Sequence, residues 1–290
     1  MQAEQALAAA TRAASKSGHD VSGARVLRVG ENGVVVLPAA GLLAKVVPGA
    51  DQHDAVTREL SVAAWLSTAQ VPVASPRYER PLIVDDFIVS LWEYLSGAAS
   101  ADLVTLAGCL RRLHNVPQPA SGLLRPVDPF SRFAQRLAPA AALTSEDRRF
   151  LTEYRDDLAK QWDDVVFDLP AAVIHGDAHM DNLLVTPGGR AAFVDLENVS
   201  VGPPEWDLTL TALYRECGWF TAGEYEQFIT AYGFDVRAAN TWPVLRGIRM
   251  LRMTLWLAQS AADHPERQCQ LRHRISSLRD DSAPNGWTGY

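Results

Sequence analysis

Cysteine is scarce in this chain. Its 290 residues hold three, Cys109, Cys217 and Cys269, far apart and without a CxxC spacing. That argues against a disulfide framework and a cysteine–zinc site, and a reducing cytoplasm is the expected compartment. Lysine is as rare: Lys16, Lys45 and Lys160 are the only ones within a Lys+Arg total of 27, so each is conspicuous. Positive charge is in deficit, with a formal net charge of −7. A general nucleic-acid binder carries a basic excess, so that class is disfavoured. No apolar run approaches the ~18 residues of a membrane span. The longest, residues 34–44, is broken by Pro38 and Gly41. The N-terminal stretch is alanine-rich with Glu4 ahead of it, and lacks the charged-then-apolar order of a signal peptide. It reads as a short, frayed helix.

What is present is globular composition. At 48% hydrophobic and 21% charged, disorder, collagen and coiled coil are disfavoured, and the length suits two lobes. Three short strands are predicted at 25–29, 34–37 and 42–47, parted by the turn Gly30-Glu31-Asn32-Gly33 and by 38–41. A helix follows, with Asp51 or Asp54 as cap and Val56, Leu60, Ala63 and Ala64 as its apolar stripe. Strands at 81–84 and 87–91 surround Asp85-Asp86. This makes a five-strand antiparallel sheet with one long helix, a lobe spanning 1–95, with Ser96-Gly97 opening a second lobe over 96–290. In the second lobe Ser100 is expected to cap a helix through His114, and Thr144 to cap another carrying Leu151, Tyr154, Leu158 and Trp162. A short strand is expected at 173–174, and helices from about 205 to 278. Trp206 and Trp219 read as core.

The chemistry lies in 172–208. Apolar strands at 183–186 and 191–194 flank Pro187-Gly188-Gly189, a hairpin signal. A two-residue turn sets Asn182 opposite Asp195, and a three-residue turn shifts this by one position. Asp177 precedes Asn182 by five residues, so the three are expected to converge. Two oxygen ligands beside a further carboxylate make a hard-cation site suited to Mg²⁺. Asp177 would remain to orient and deprotonate a hydroxyl, as phosphoryl transfer requires. Lys45 sits within the apolar run 42–47, where a lysine must snorkel or find an anion. Glu59 on the next helix is the natural partner, and such a pair can hold nucleotide phosphates.

These segments resemble the aminoglycoside phosphotransferase family of small-molecule kinases. His175-Gly176-Asp177-Ala178-His179-Met180-Asp181-Asn182 matches that family's catalytic loop, HGDxHxxN. Phe193-Val194-Asp195-Leu196-Glu197 matches its metal-binding strand end, and Gly202-Pro203-Pro204-Glu205-Trp206-Asp207-Leu208 resembles its G-x-P…D-L segment. The likeness runs over about residues 25–210, although the turn 30–33 is too short for GxGxxG. It implies an α+β, bilobal protein-kinase-like fold with a mainly helical C-lobe carrying the catalytic hairpin. It also implies Mg²⁺-dependent transfer from ATP or GTP to a hydroxyl of a small molecule, with no nucleic-acid or membrane partner. By position, Asp177 would be the base and Asn182 and Asp195 the Mg²⁺ ligands. Lys45 would reach the α/β-phosphates, held by Glu59, under the turn of Gly30, Asn32 and Gly33. Glu93, Tyr94 and Leu95 would form the hinge, at 92–95, whose backbone reads the purine. Asp207 would brace the loop and His175 would be structural. His179, Asp181, Glu197 and Glu205 fall on the acceptor side.

Two other activities use the same residues. A metal-dependent hydrolase could be built on His175, Asp177 and His179, although Asn182 is a poor ligand for such a site. A protein kinase needs an activation segment, and only seven residues lie between Asp195 and Pro203. Charge gives two opposed hints. Residues 177–240 hold ten acids and three arginines, which would attract a polycation. Arg246, Arg249 and Arg252 recur at helical spacing, either as a solvated face or as an anion site. The sign of the acceptor's charge stays open.

Overall fold

The computed structural model describes residues 1–120 and 122–289. In chain order the elements are α1 (Ala3–Lys16), β1 (Arg25–Val29), β2 (Gly33–Leu37), β3 (Leu42–Pro48), α2 (His53–Thr68), β4 (Leu82–Val84), β5 (Phe87–Glu93), β6 (Ala99–Ser100) and α3 (Leu103–His114). They continue with α4 (Phe133–Leu137), α5 (Ser145–Asp164), β7 (Ala172–Ile174), β8 (Leu183–Val185), β9 (Ala191–Phe193) and β10 (Ser200–Gly202). Helices α6 (Glu205–Glu216), α7 (Ala222–Tyr232), α8 (Trp242–Ala258) and α9 (Pro265–Arg279) close the chain. The fold is thus α+β. No helix among the described residues is long and apolar enough to cross a membrane.

The chain forms two compact units, Met1–Arg125 with Met180–Val199, and Pro126–His179 with Ser200–Tyr290. This partition is discontinuous. It takes α3 and the β8–β9 hairpin with the N-terminal sheet, where a linker at Ser96-Gly97 would cut after residue 95.

In the first unit the five-stranded antiparallel sheet runs β1-β2-β3-β5-β4. The N-terminal helix is not frayed. Ala6, Ala9, Ala10, Ala13 and Ala14 are at most 1% exposed and pack on Val35, Leu37, Ala44, Val46 and Leu91. Alanine is the best helix former and projects one methyl, so α1 lies close on the sheet. Gly33 marks how close: a Cβ there would come within 2.6 Å of the Ala6 Cβ. The start of α2 also differs from expectation. Neither Asp51 nor Asp54 caps it; Gln52 takes the cap position without a side-chain bond, after the 3-10 turn Ala50–Gln52. Asp54 falls in the first turn, where a carboxylate complements the helix dipole. Asp102, not Ser100, caps α3 by accepting the Thr105 N–H at 2.7 Å. Ser100 lies in β6 instead.

The hairpin has the register of the longer turn, with Leu183 opposite Phe193 and Val185 opposite Ala191. The Thr186 N–H donates to the Arg190 carbonyl at 2.9 Å and closes the loop. Phe193 ties the hairpin inward: its N–H donates to Pro72 O at 2.8 Å and its O accepts the Ala74 N–H at 2.9 Å.

In the second unit β7 pairs antiparallel with β10, Ile174 opposite Ser200. Thr144 caps α5 through a reciprocal capping box with Asp147. Helix α8 is central and packs against α4, α5, α6 and α9. Trp206 is 1% exposed and meets Trp162 edge-on at 5.6 Å between centroids, as a core residue should. Trp219 is half-buried, its indole N–H donating to Trp287 O at 2.8 Å.

Candidate active site

The first unit contributes a buried charge cluster. Lys45 occupies the middle of β3, opposite Val34 on one side and Ser90 on the other. Its apolar neighbours draw the strand inward, so the side chain ends among anions. Lys45 Nζ donates to both Glu59 carboxylate oxygens at 3.0 and 3.1 Å, to Asp195 Oδ1 at 2.9 Å and to Glu197 Oε2 at 3.0 Å. Burial alone would push the Lys45 ammonium down, but the three carboxylates outweigh it and hold its pKa above the usual value. For Glu59, 3% exposed, burial wins over the lysine and its carboxyl is raised. One ammonium thus faces three carboxylates, which leaves two negative charges over when all are ionised.

The hairpin positions the oxygen donors. Asn182 is 8% exposed at the end of the 3-10 turn Met180–Asn182, and its carbonyl accepts the Val194 N–H at 3.0 Å. Asp195, two residues past the end of β9, lies in the left-handed region at φ 59°, and its carboxylate accepts from Lys45. Asp is among the non-glycine residues that tolerate this conformation. Asn182 and Asp195 both stand at the hairpin end, and the Asp195 carboxylate belongs to a cluster two charges short; oxygen donors of this kind fit a divalent cation of hard-oxygen preference.

Other residues expected at the nucleotide and acceptor sides make contacts of their own. The turn Gly30–Asn32 closes on itself, with the Gly30 N–H donating to Asn32 O at 3.0 Å. Gly33 is explained by α1. In the expected hinge, the Tyr94 N–H donates to Gly41 O at 3.0 Å and Leu95 O accepts the Ala98 N–H at 3.1 Å. The Glu93 carboxylate takes Arg190 at 2.5 and 2.8 Å and the Ser75 N–H at 2.7 Å. Asp181, exposed, accepts the Ser100 hydroxyl at 2.5 Å. Glu197, expected on the acceptor side, is engaged by Lys45.

In the second unit the loop leaving β7 is clamped at its backbone. Asp207, fully buried in the first turn of α6, accepts the His175 N–H at 2.7 Å and the Gly176 N–H at 2.8 Å. Gly176 has φ 84°, a value costly for a side-chain-bearing residue. Its carbonyl accepts the Trp206 indole N–H at 2.9 Å. The Asp177 side chain, next in sequence, keeps 37% of its surface exposed, with Arg249 Nη1 at 3.6 Å from its Oδ1. His175 is fully buried and His179 half-buried. Glu205, expected on the acceptor side, is fully buried; its Oε1 accepts the Leu169 N–H at 2.9 Å, and burial raises its carboxyl. Among the described residues no group of three or more His, Cys, Asp or Glu side chains is placed to hold a metal ion, around His175, Asp177 and His179 or around Lys45.

Arg249 was legible only as part of an arginine row, and that row is not a solvated face. Arg249 is 2% exposed. Arg246 pairs with Glu216 at 2.7 Å, and Arg252 donates to Pro129 O at 3.1 Å. The missed signal was a lone charge flanked by Ile248, Met250 and Leu251, the same signal that exposes Lys45.

The family model described as "Phosphotransferase enzyme family" matches residues 16–248. No curated protein matches the chain. Among solved structures, the amicoumacin kinase hAmiN in complex with AMP-PNP, Ca²⁺ and Ami superposes with a TM-score of 0.73 at 14% identity, over 94% of each chain. A microcompartment-associated aminopropanol kinase gives 0.70 at 19%, over 94% of this chain and 98% of its own. The aminoglycoside phosphotransferase APH(3'')-Id of Streptomyces rimosus gives 0.63 at 22%, over 84% and 98%. At these identities the likeness is one of fold.

Proposed function

The chain belongs to the phosphotransferase enzyme family, and from that premise we propose that it transfers the γ-phosphoryl group of ATP or GTP to a hydroxyl of a small molecule. The carrying observation is the Lys45 cluster: one buried ammonium facing Glu59, Asp195 and Glu197, with charge left for a divalent cation. Lys45, fixed by Glu59, binds the nucleotide phosphates. Asn182 and Asp195 hold Mg²⁺, which supplies neutralising charge on the phosphates when bound. Asp177 orients the acceptor hydroxyl and takes its proton as the oxygen attacks phosphorus. Asp207 fixes the backbone on which Asp177 rides. Amino alcohols, sugars and hydroxylated antibiotics are the acceptor classes that the resemblance implies.

The test is a nucleotide-consumption screen of ATP and GTP against those three classes, repeated with Asp177→Asn and Asp195→Ala. Asp177→Asn should lower turnover by about 10²–10⁴-fold, the range of general-base contributions. Asp195→Ala should abolish the Mg²⁺ dependence of nucleotide affinity in calorimetry. Near-native transfer by Asp177→Asn, or unchanged Mg·ATP affinity in Asp195→Ala, would remove the respective assignment.

A further inference from the structure

Arg249 has no part in the roles assigned above, yet it is a buried cation beside Asp177. It reaches the loop from α8 and lies 72 residues after Asp177. Its guanidinium lies 4.1 Å from the Trp206 ring centroid, a cation–π distance. Nη2 donates to Gly176 O at 3.1 Å and to Trp206 O at 3.3 Å, and Nη1 stands 3.6 Å from Asp177 Oδ1. The Gly176 carbonyl therefore has two donors, Trp206 Nε1 and Arg249 Nη2, while its N–H is held by Asp207. Backbone before Asp177 and carboxylate of Asp177 are addressed by one rigid plane.

That geometry is specific to arginine. A planar fork on an aromatic face can span a carbonyl and a carboxylate at once, whereas a lysine ammonium is a point charge that cannot stack in the same way. Burial at 2% also denies the guanidinium alternative solvent partners. Arg252, over the same indole at 5.6 Å, ties α8 to Pro129 O and Ser131 Oγ, a second anchor of the helix near the tryptophan.

We propose that Arg249 is a positioning residue for the phosphoryl-transfer reaction: stacked on Trp206 and bonded to Gly176, it sets the direction in which the Asp177 carboxylate is presented to the acceptor hydroxyl. The inference rests on Asp177 being the base. It requires that losing the guanidinium misdirects the carboxylate without removing a nucleotide contact. The effect then falls on kcat and leaves the nucleotide KM alone.

The experiment measures steady-state kinetics and thermal melting of the full chain for Arg249→Met, Arg249→Lys and Asp177→Asn, with an acceptor from the screen. Arg249→Met should lose about 10²-fold in kcat, the scale of a 1 Å misplacement, with nucleotide KM unchanged. Arg249→Lys keeps the charge and the stem, and carries the test if the methionine variant does not fold. It should melt as the parent does and still lose roughly tenfold in kcat. Methylguanidinium should restore turnover to Arg249→Ala, where ammonium should not. Parental kcat in Arg249→Lys, or a nucleotide KM that rises in step with any loss, would overturn the proposal. If Asp177→Asn is inactive while the arginine variants are normal, only this inference fails; if Asp177→Asn is itself active, the reading beneath it fails.

Discussion

Lys45 in the first unit and Arg249 in the second are both buried cations beside a carboxylate with a proposed chemical role, and they are held in opposite ways. Lys45 is surrounded by three carboxylates and carries fewer charges than it meets. Arg249 is held mainly by neutral groups, two carbonyls and an indole face, with one carboxylate at 3.6 Å. The first arrangement leaves negative charge over when all four groups are ionised, which a divalent cation would offset. The second fixes a direction. A compact, strongly hydrated ammonium suits the former and a planar fork the latter.

The difference is broken most forcefully at Lys45. Lys45→Met leaves the buried Glu59 carboxylate without its cation, and the expected loss is about 3–5 kcal/mol in urea denaturation, together with loss of nucleotide binding. Adding Glu59→Met should return most of the stability and none of the binding, because an apolar pair of similar volume removes the unpaired charge. A double variant no more stable than Lys45→Met would mean that the two side chains are not coupled.

The contrast also explains what could be read from sequence. Lys45 and Glu59 were legible because a lone lysine in an apolar strand needs an anion. The hairpin was legible because Pro187-Gly188-Gly189 separates two apolar runs; only its register, set by the wider turn, needed coordinates. Strands β6 and β10 were not, since two- and three-residue strands carry no periodicity. The burial of α1 was missed because alanine signals helix without signalling a buried face, and here the close approach to the sheet makes that face. Arg249 was missed because three arginines at helical spacing are usually solvated. Its partners are backbone carbonyls, a tryptophan 43 positions away and a loop, which no local pattern records.

A smaller effect separates the helices that carry the two anchors. Glu59 rides on α2, whose start has no side-chain cap, while α5, packed against α8, begins with the Thr144–Asp147 box. Thr144→Ala should cost about 1 kcal/mol in chemical denaturation. A loss several times larger would show that the cap also holds α8 and, through it, Arg249.

The smallest expected effect is electrostatic and compares one surface pair in each unit. Burial would raise the Glu93 carboxyl, but hydrogen bonds from Arg190 and the Ser75 amide hold it below the usual range. Burial opposes Asp147 likewise, and Thr144 and Arg279 hold it down. A carboxyl depressed in the folded state contributes stability above its unfolded pKa of about 3.9–4.3, and loses it as pH falls through the lower folded value. Both groups are largely solvent-screened, so each is worth less than about 1 kcal/mol. Glu93→Gln and Asp147→Asn should therefore differ from the parent most at pH 7, and converge on it in denaturation curves taken below about pH 4. A deficit that grows toward acid would reverse the sign assigned to that pair, and a deficit in only one variant would place the acid-sensitive contact in a single unit.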